Sequence, residues 1–165
     1  MNFIEDAIFP HGSDSLRKEC NTALKTSPGG SKTTFLPIKL QQSIIQAAMY
    51  AVSEFLSKED LEILHENIEC FAYGQSDLYK PIRSKVDNSL RSIDLMHFVW
   101  NIGERLDISL IDRATFIHTI FPHELKDASI KYLAKNLRTC GVCKIALDIP
   151  KTGDYHFKIT KFCTV

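Results

Sequence analysis

From Leu40 to Phe55 the apolar residues Leu40, Ile44, Ala47, Ala48, Ala51, Val52 and Phe55 fall at three- and four-residue steps. That spacing fits an amphipathic helix with one apolar stripe, which has to be covered by something else. Ser57-Lys-Glu-Asp60 supplies a start for the cover: a hydroxyl that accepts from an early amide and a carboxylate that reaches back, the pattern of a capped helix N-terminus. A second helix over 58–71 then carries Leu61, Leu64, Ile68 and Phe71 inward and Glu59, Asp60, Glu62, Glu66 and Glu69 outward. The pair predicts a helical hairpin. Its stripe of Ile44, Ala48, Ala51 and Phe55 either packs within one chain or serves a homodimer or protein partner bound through helices 38–71.

On either side of this hairpin the pattern breaks. Thr26 to Thr34, TSPGGSKTT, has linker composition, so residues 1–35 are expected to be a partly disordered arm. The stretch lacks the glycine spacing of a phosphate-binding loop, and Lys32 follows Ser31 where such a loop has glycine. Residues 73–88, interrupted by Gly74 and Pro81, either connect the hairpin to the C-terminal half or hold one short helix, and complete a first unit over 36–88.

The last unit, 89–165, has a sharper order. Ser92 can cap a helix over 93–105 with Leu95, Met96, Val99, Trp100 and Ile102 as its apolar set, and residues 106–110 form a short extended piece. Ser109-Leu-Ile-Asp112 repeats the capping pattern and opens a helix that runs to about Phe121, where Pro122 ends it. A third helix over 126–138 puts Ile130, Leu133, Ala134 and Leu137 on one face, and Gly141 stands where a helix end favours a left-handed residue. Ile145, Leu147 and Ile149, then Tyr155, Phe157 and Ile159, alternate with polar or small residues on either side of Lys151-Thr-Gly-Asp154, which predicts a β-hairpin.

Helix, short extended segment, helix, turn, helix and two-stranded hairpin, in that order, resemble the winged-helix variety of helix-turn-helix domain. The residues that carry the likeness are 128–138 as third helix, the Cys140–Cys143 corner and the wing 145–159. The expected fold class is therefore α-rich α+β, a helical hairpin followed by a winged-helix-like three-helix domain with a C-terminal β-hairpin. The resemblance implies a regulatory protein that binds double-stranded DNA, the third helix in the major groove and the wing on the backbone. Phe121-Pro-His-Glu-Leu departs from the tight glycine turn common between such helices.

The residues fit that reading independently. Opposite the apolar face of helix 126–138 lie Ser129, Lys131, Tyr132, Lys135, Asn136 and Arg138, and the wing adds Lys151 and Lys158. Lysine and arginine neutralise phosphates, while asparagine and arginine can pair with base edges. Zero net charge conceals a split: residues 1–79 carry 6 basic and 11 acidic side chains, residues 80–165 carry 14 and 9. Such a split suits an acidic half for protein contacts and a basic half for a polyanion, although solvated faces alone also produce it. The alternative is an adaptor whose winged-helix surface binds protein.

Chemistry is thinly represented. Cys140 and Cys143 have zinc-ligand spacing and hairpin pairing brings Cys163 near them, but a structural zinc needs a fourth ligand and the sequence offers no obvious one. The same pair comes after a helix, where the dipole opposes thiolate formation, so a thioredoxin-like redox role is disfavoured and buried reduced thiols are expected. Histidines 11, 65, 97, 118, 123 and 156 show no spacing that assembles a catalytic set. No enzyme activity and no cofactor are expected. No apolar run reaches the roughly 18–20 residues of a membrane span, and acidic residues near the N-terminus replace the basic start of a signal peptide. A cytoplasmic protein without a membrane partner is the expectation.

Overall fold

The computed structural model describes residues 36–151, 154 and 156. Within them five α-helices succeed one another: α1 (Ile38–Val52), α2 (Lys58–Ala72), α3 (Ser92–Leu106), α4 (Leu110–Ile120) and α5 (Ile130–Asn136), with one 3-10 turn at Ser76–Leu78. Helix α1 packs on α2 and α3, α3 on α4, and α4 on α5.

Local signals set most of the helix ends. The Ser57 hydroxyl accepts from Asp60 N (3.1 Å) and that of Ser109 accepts from Asp112 N (3.2 Å), so both serines supply the acceptor that a free helix start lacks. Helix α2 stops because Gly74 adopts φ +71°. That turn lets Gly74 N donate to Phe71 O and Gln75 N to Cys70 O, which satisfies carbonyls the helix leaves open. Asp107, also left-handed at φ 55°, closes α3. Ser92 is the first helical residue of α3, and Arg91 occupies the capping position, its amide donating to Asp94 Oδ2 (2.8 Å).

One continuous core runs from Ile44 on α1 to Ile145 beyond α5. Ile44, Ala48 and Phe55 lie in it, so most of the stripe that could have met a second chain is covered by this one; Ala51 alone of the four stays exposed. Phe71 stacks on Phe116 with ring centroids 4.2 Å apart, and Tyr79 meets Phe116 edge-on at 5.0 Å. Trp100 lies between two guanidinium groups, Arg113 at 5.8 Å and Arg138 at 5.9 Å from its ring.

The fold is all-α among the described residues, which corrects the α+β expectation: no β-strand and no β-hairpin occurs there. Most of the expected second wing strand, with Lys158 and Cys163, lies outside the described residues. The first, 143–150, is described and is not a strand. Ile145 is buried and Leu147 partly so, but Ile149 is 58% exposed, so the alternation fades along the segment. Its backbone groups bond to side chains of α3 rather than to a strand. Asp154 N donates to Lys151 O (2.8 Å), and residues 152 and 153 of the expected turn lie outside the described residues.

The connector from α2 to α3 is held in the same manner. Asn67 on α2 donates through Nδ2 to Lys80 O and accepts from Lys80 N, both at 2.8 Å. Further on, Ile82 N donates to Ile120 O (2.7 Å), Lys85 N to Phe55 O (2.8 Å), and both the amide and the hydroxyl of Ser84 to Glu124 Oε2 (2.6 Å each).

Two outcomes test the packing. A Cβ on Gly103 would overlap the buried side chain of Arg113, which is fixed by Ile108 O (2.8 Å) and Glu104 (2.9 Å). Displacing it loses charged hydrogen bonds worth about 3 kcal/mol against a helix-propensity gain of about 1 kcal/mol. Gly103→Ala is therefore expected to lower stability by roughly 2 kcal/mol in urea unfolding, and by less in an Arg113→Ala background. Burial pushes the Tyr79 phenol well above the ordinary tyrosine range, with charge at Cys70 and Asp112 adding to it. The unfolded chain releases that proton near pH 10 and the folded one keeps it, so stability falls as pH rises above about 10. Alkaline unfolding of Tyr79→Phe is expected to show a shallower fall.

Candidate functional site

The third helix of the sequence reading is shorter than its pattern. Ser129 is extended at ψ 153° and its hydroxyl accepts from Tyr132 N (3.1 Å), so it caps α5 rather than lying inside it. Residues before it form turns, with Leu125 N donating to Phe121 O and Ala128 N to Leu125 O. Helix α5 therefore has seven residues, about 10 Å of rise. Leu133 and Leu137 are buried beneath it and fix which face points outward.

That outward face keeps part of the expected set together. Lys131, Lys135 and Arg138 are exposed at steps of four and three, which places them in one row, with Tyr132 beside it at 54% exposure. Lys131 and Lys135 form no ion pair among the described residues, and Arg138 rests partly on Trp100. No acidic residue occurs between Asp127 and Asp148. The side chains of Ser129 and Asn136 serve the helix itself, Asn136 Nδ2 donating to Tyr132 O (2.7 Å). Lys151 is exposed and follows segment 143–150 in sequence.

The end of this face is held by a polar row on α3 that sequence reasoning missed. Asp94, His97, Asn101 and Arg105, at helical spacing and all buried, grip the chain that leaves α5. Asp94 Oδ1 accepts from Lys144 N (2.6 Å) and Ile145 N (3.4 Å). The His97 ring sits between Thr139 O and Ile145 O, each 2.8 Å from a ring nitrogen. Asn101 donates to Ala146 O (2.9 Å) and accepts from Asp148 N (2.8 Å), as a neighbouring strand would. Arg105 donates to Asp148 O (3.2 Å), Asp148 Oδ2 (2.9 Å) and His156 O (2.8 Å). Burial lowers the Arg105 pKa, and the bonded Asp148 carboxylate opposes that shift. The signal was present, since 94, 97, 101 and 105 repeat the apolar period of α3, but polar residues on a buried face carry no apolar signature.

The cysteine corner is architectural in this arrangement. Cys143 is buried as expected, whereas Cys140 is exposed, which corrects the expectation of buried thiols for that residue; Cys163 lies outside the described residues. Among the described residues no group of three or more His, Cys, Asp or Glu side chains is placed to hold a metal ion. A separate cleft of about 310 Å³ is lined by Arg83, Lys85, His123 and Glu124. Its Arg83 donates to His123 Nε2 (2.9 Å), and Glu124 Oε1 is buried with no hydrogen-bond partner among the described residues. No described helix is long and apolar enough to cross a membrane.

Comparison of the chain with protein-family models, with curated proteins and with solved structures finds no match. The functional reading rests on the chain's own geometry.

Asn101→Leu tests the polar row. It keeps the number and branching of the side-chain heavy atoms but leaves the Ala146 carbonyl and the Asp148 amide without partners. The expected loss is about 2 kcal/mol in urea unfolding. An exposed substitution such as Lys131→Ala is expected to stay within about 0.5 kcal/mol of the wild type.

Proposed function

We propose that the protein is a nucleic-acid-binding module with a regulatory role, acting by occupancy rather than by catalysis, and that α5 presents its contact surface. The observation that carries this reading is the row Lys131, Lys135 and Arg138. It is exposed, with Lys131 and Lys135 on one face of α5 and Arg138 just past its end, and part of a stretch without acidic residues. Cations held this way form a site for a polyanion, because releasing the counterions of a phosphate backbone favours binding to any sequence. Lys151 adds the same sign farther along the chain. Double-stranded DNA is the first partner to test. A β-wing has no part in the proposal.

A second reading has its own support. Val142 (66% exposed) and Ile149 (58% exposed) lie on the segment after α5, and apolar side chains beside cations suit an acidic protein partner with an apolar anchor.

Binding of a labelled oligonucleotide, duplex and single-stranded, across a salt series separates the two. Phosphate contacts make affinity fall linearly with salt on logarithmic axes. Lys131→Ala and Lys135→Ala are each expected to reduce that slope by about one unit. Absence of binding at low salt would contradict the nucleic-acid reading and leave the protein-partner reading in its place.

A further inference from the structure

We propose that α5 takes an unpaired stretch of nucleic acid, with Tyr132 stacked on a base while Lys131, Lys135 and Arg138 hold the phosphates beside it. The inference rests on the nucleic-acid reading of the same face and names its substrate class.

A duplex is read by side chains that reach base edges from a helix lying in the major groove, with asparagine, serine and arginine as the usual donors and acceptors. At α5 the serine and asparagine are committed elsewhere. The Ser129 hydroxyl accepts from Tyr132 N and the Asn136 amide donates to Tyr132 O, while Arg138 lies past the end of the helix with its guanidinium over Trp100 and exposed to solvent. The helix itself offers under two turns for insertion. The group that remains outward is an aromatic ring among cations. That repertoire, stacking plus phosphate neutralisation, is the one used on single strands, where every base presents a π-face and sequence matters little.

Tyr132 is placed for this by its neighbours in the helix. It lies three residues from Lys135 and next to Lys131, so the ring borders the basic row. Leu133 is buried beneath and anchors the turn that carries Tyr132, so little ordering remains to be done on binding. Tyr132 is already more than half exposed in the free protein, and stacking would cover an apolar face that water now contacts.

The test uses the full chain and fluorescein-labelled strands of about 16 nucleotides, DNA and RNA of one sequence, alone and annealed to a complement. Anisotropy titrations are run at about 50 mM salt. Tighter binding of the single strands than of the duplexes is expected, and the DNA and RNA arms show which sugar is preferred. Tyr132→Ala is expected to weaken single-strand binding about tenfold with an unchanged salt slope, while Tyr132→Phe keeps it. Duplex binding equal to or tighter than single-strand binding, or a Tyr132→Ala variant as tight as the wild type, overturns this inference and leaves the phosphate-binding reading standing. No binding of any strand overturns both.

Discussion

Non-helical backbone inside a helical protein needs hydrogen-bond partners, and here side chains supply them. Asp94, His97, Asn101 and Arg105 serve this purpose for the chain after α5, and Asn67 and Glu124 serve it for the connector before α3. A buried amide or carbonyl left without a partner costs about 1–3 kcal/mol, so a segment with seven such groups has to be matched or excluded from the interior. The α3 row matches them at the helical repeat. Because nearly all of these bonds go to main-chain atoms, they fix the path of 139–148 while leaving most of its side chains unconstrained by the row.

That path connects the core to the candidate surface. Helix α5 is short, and an isolated helix of its length would not persist in water. It is held by Leu133 and Leu137 below, by Ser129 at its start, and by the clamped chain at its end, where His97 meets Thr139 O. Arg138, the last cation of the row, lies between the helix and that clamp and is steadied on Trp100. The geometry of the basic face therefore depends on a polar cluster buried well beneath it.

The signals that were legible are those in which a residue acts on its own neighbours. The stripe from Leu40, the caps at Ser57 and Ser109 and the break at Gly74 act within a few residues; the caps and the break are found where the pattern places them, and the stripe forms a helix to Val52 with Ala51 exposed and Phe55 buried beyond its end. Ser129 belongs to the same class, but its capping role was hidden by the apolar period that runs through it. The wing failed for a different reason. Ile145, Leu147 and Ile149 alternate as a strand does, yet the partners of that backbone are set by residues some forty-five positions earlier, on a helix whose apolar set drew attention away from its polar one. Lys131, Tyr132, Lys135 and Arg138 are exposed, whereas the side chains of Ser129 and Asn136 are part of the helix's own bonding.

The central claim is that the polar row of α3, and not a partner strand, holds the chain after α5. Native-state hydrogen exchange at the amides of Lys144 and Asp148 measures this directly, since those protons are the ones given to Asp94 and Asn101. Protection at both amides comparable to that of the α3 interior is the expected result. Exchange at the rate of unstructured chain, with α3 still protected, would contradict it.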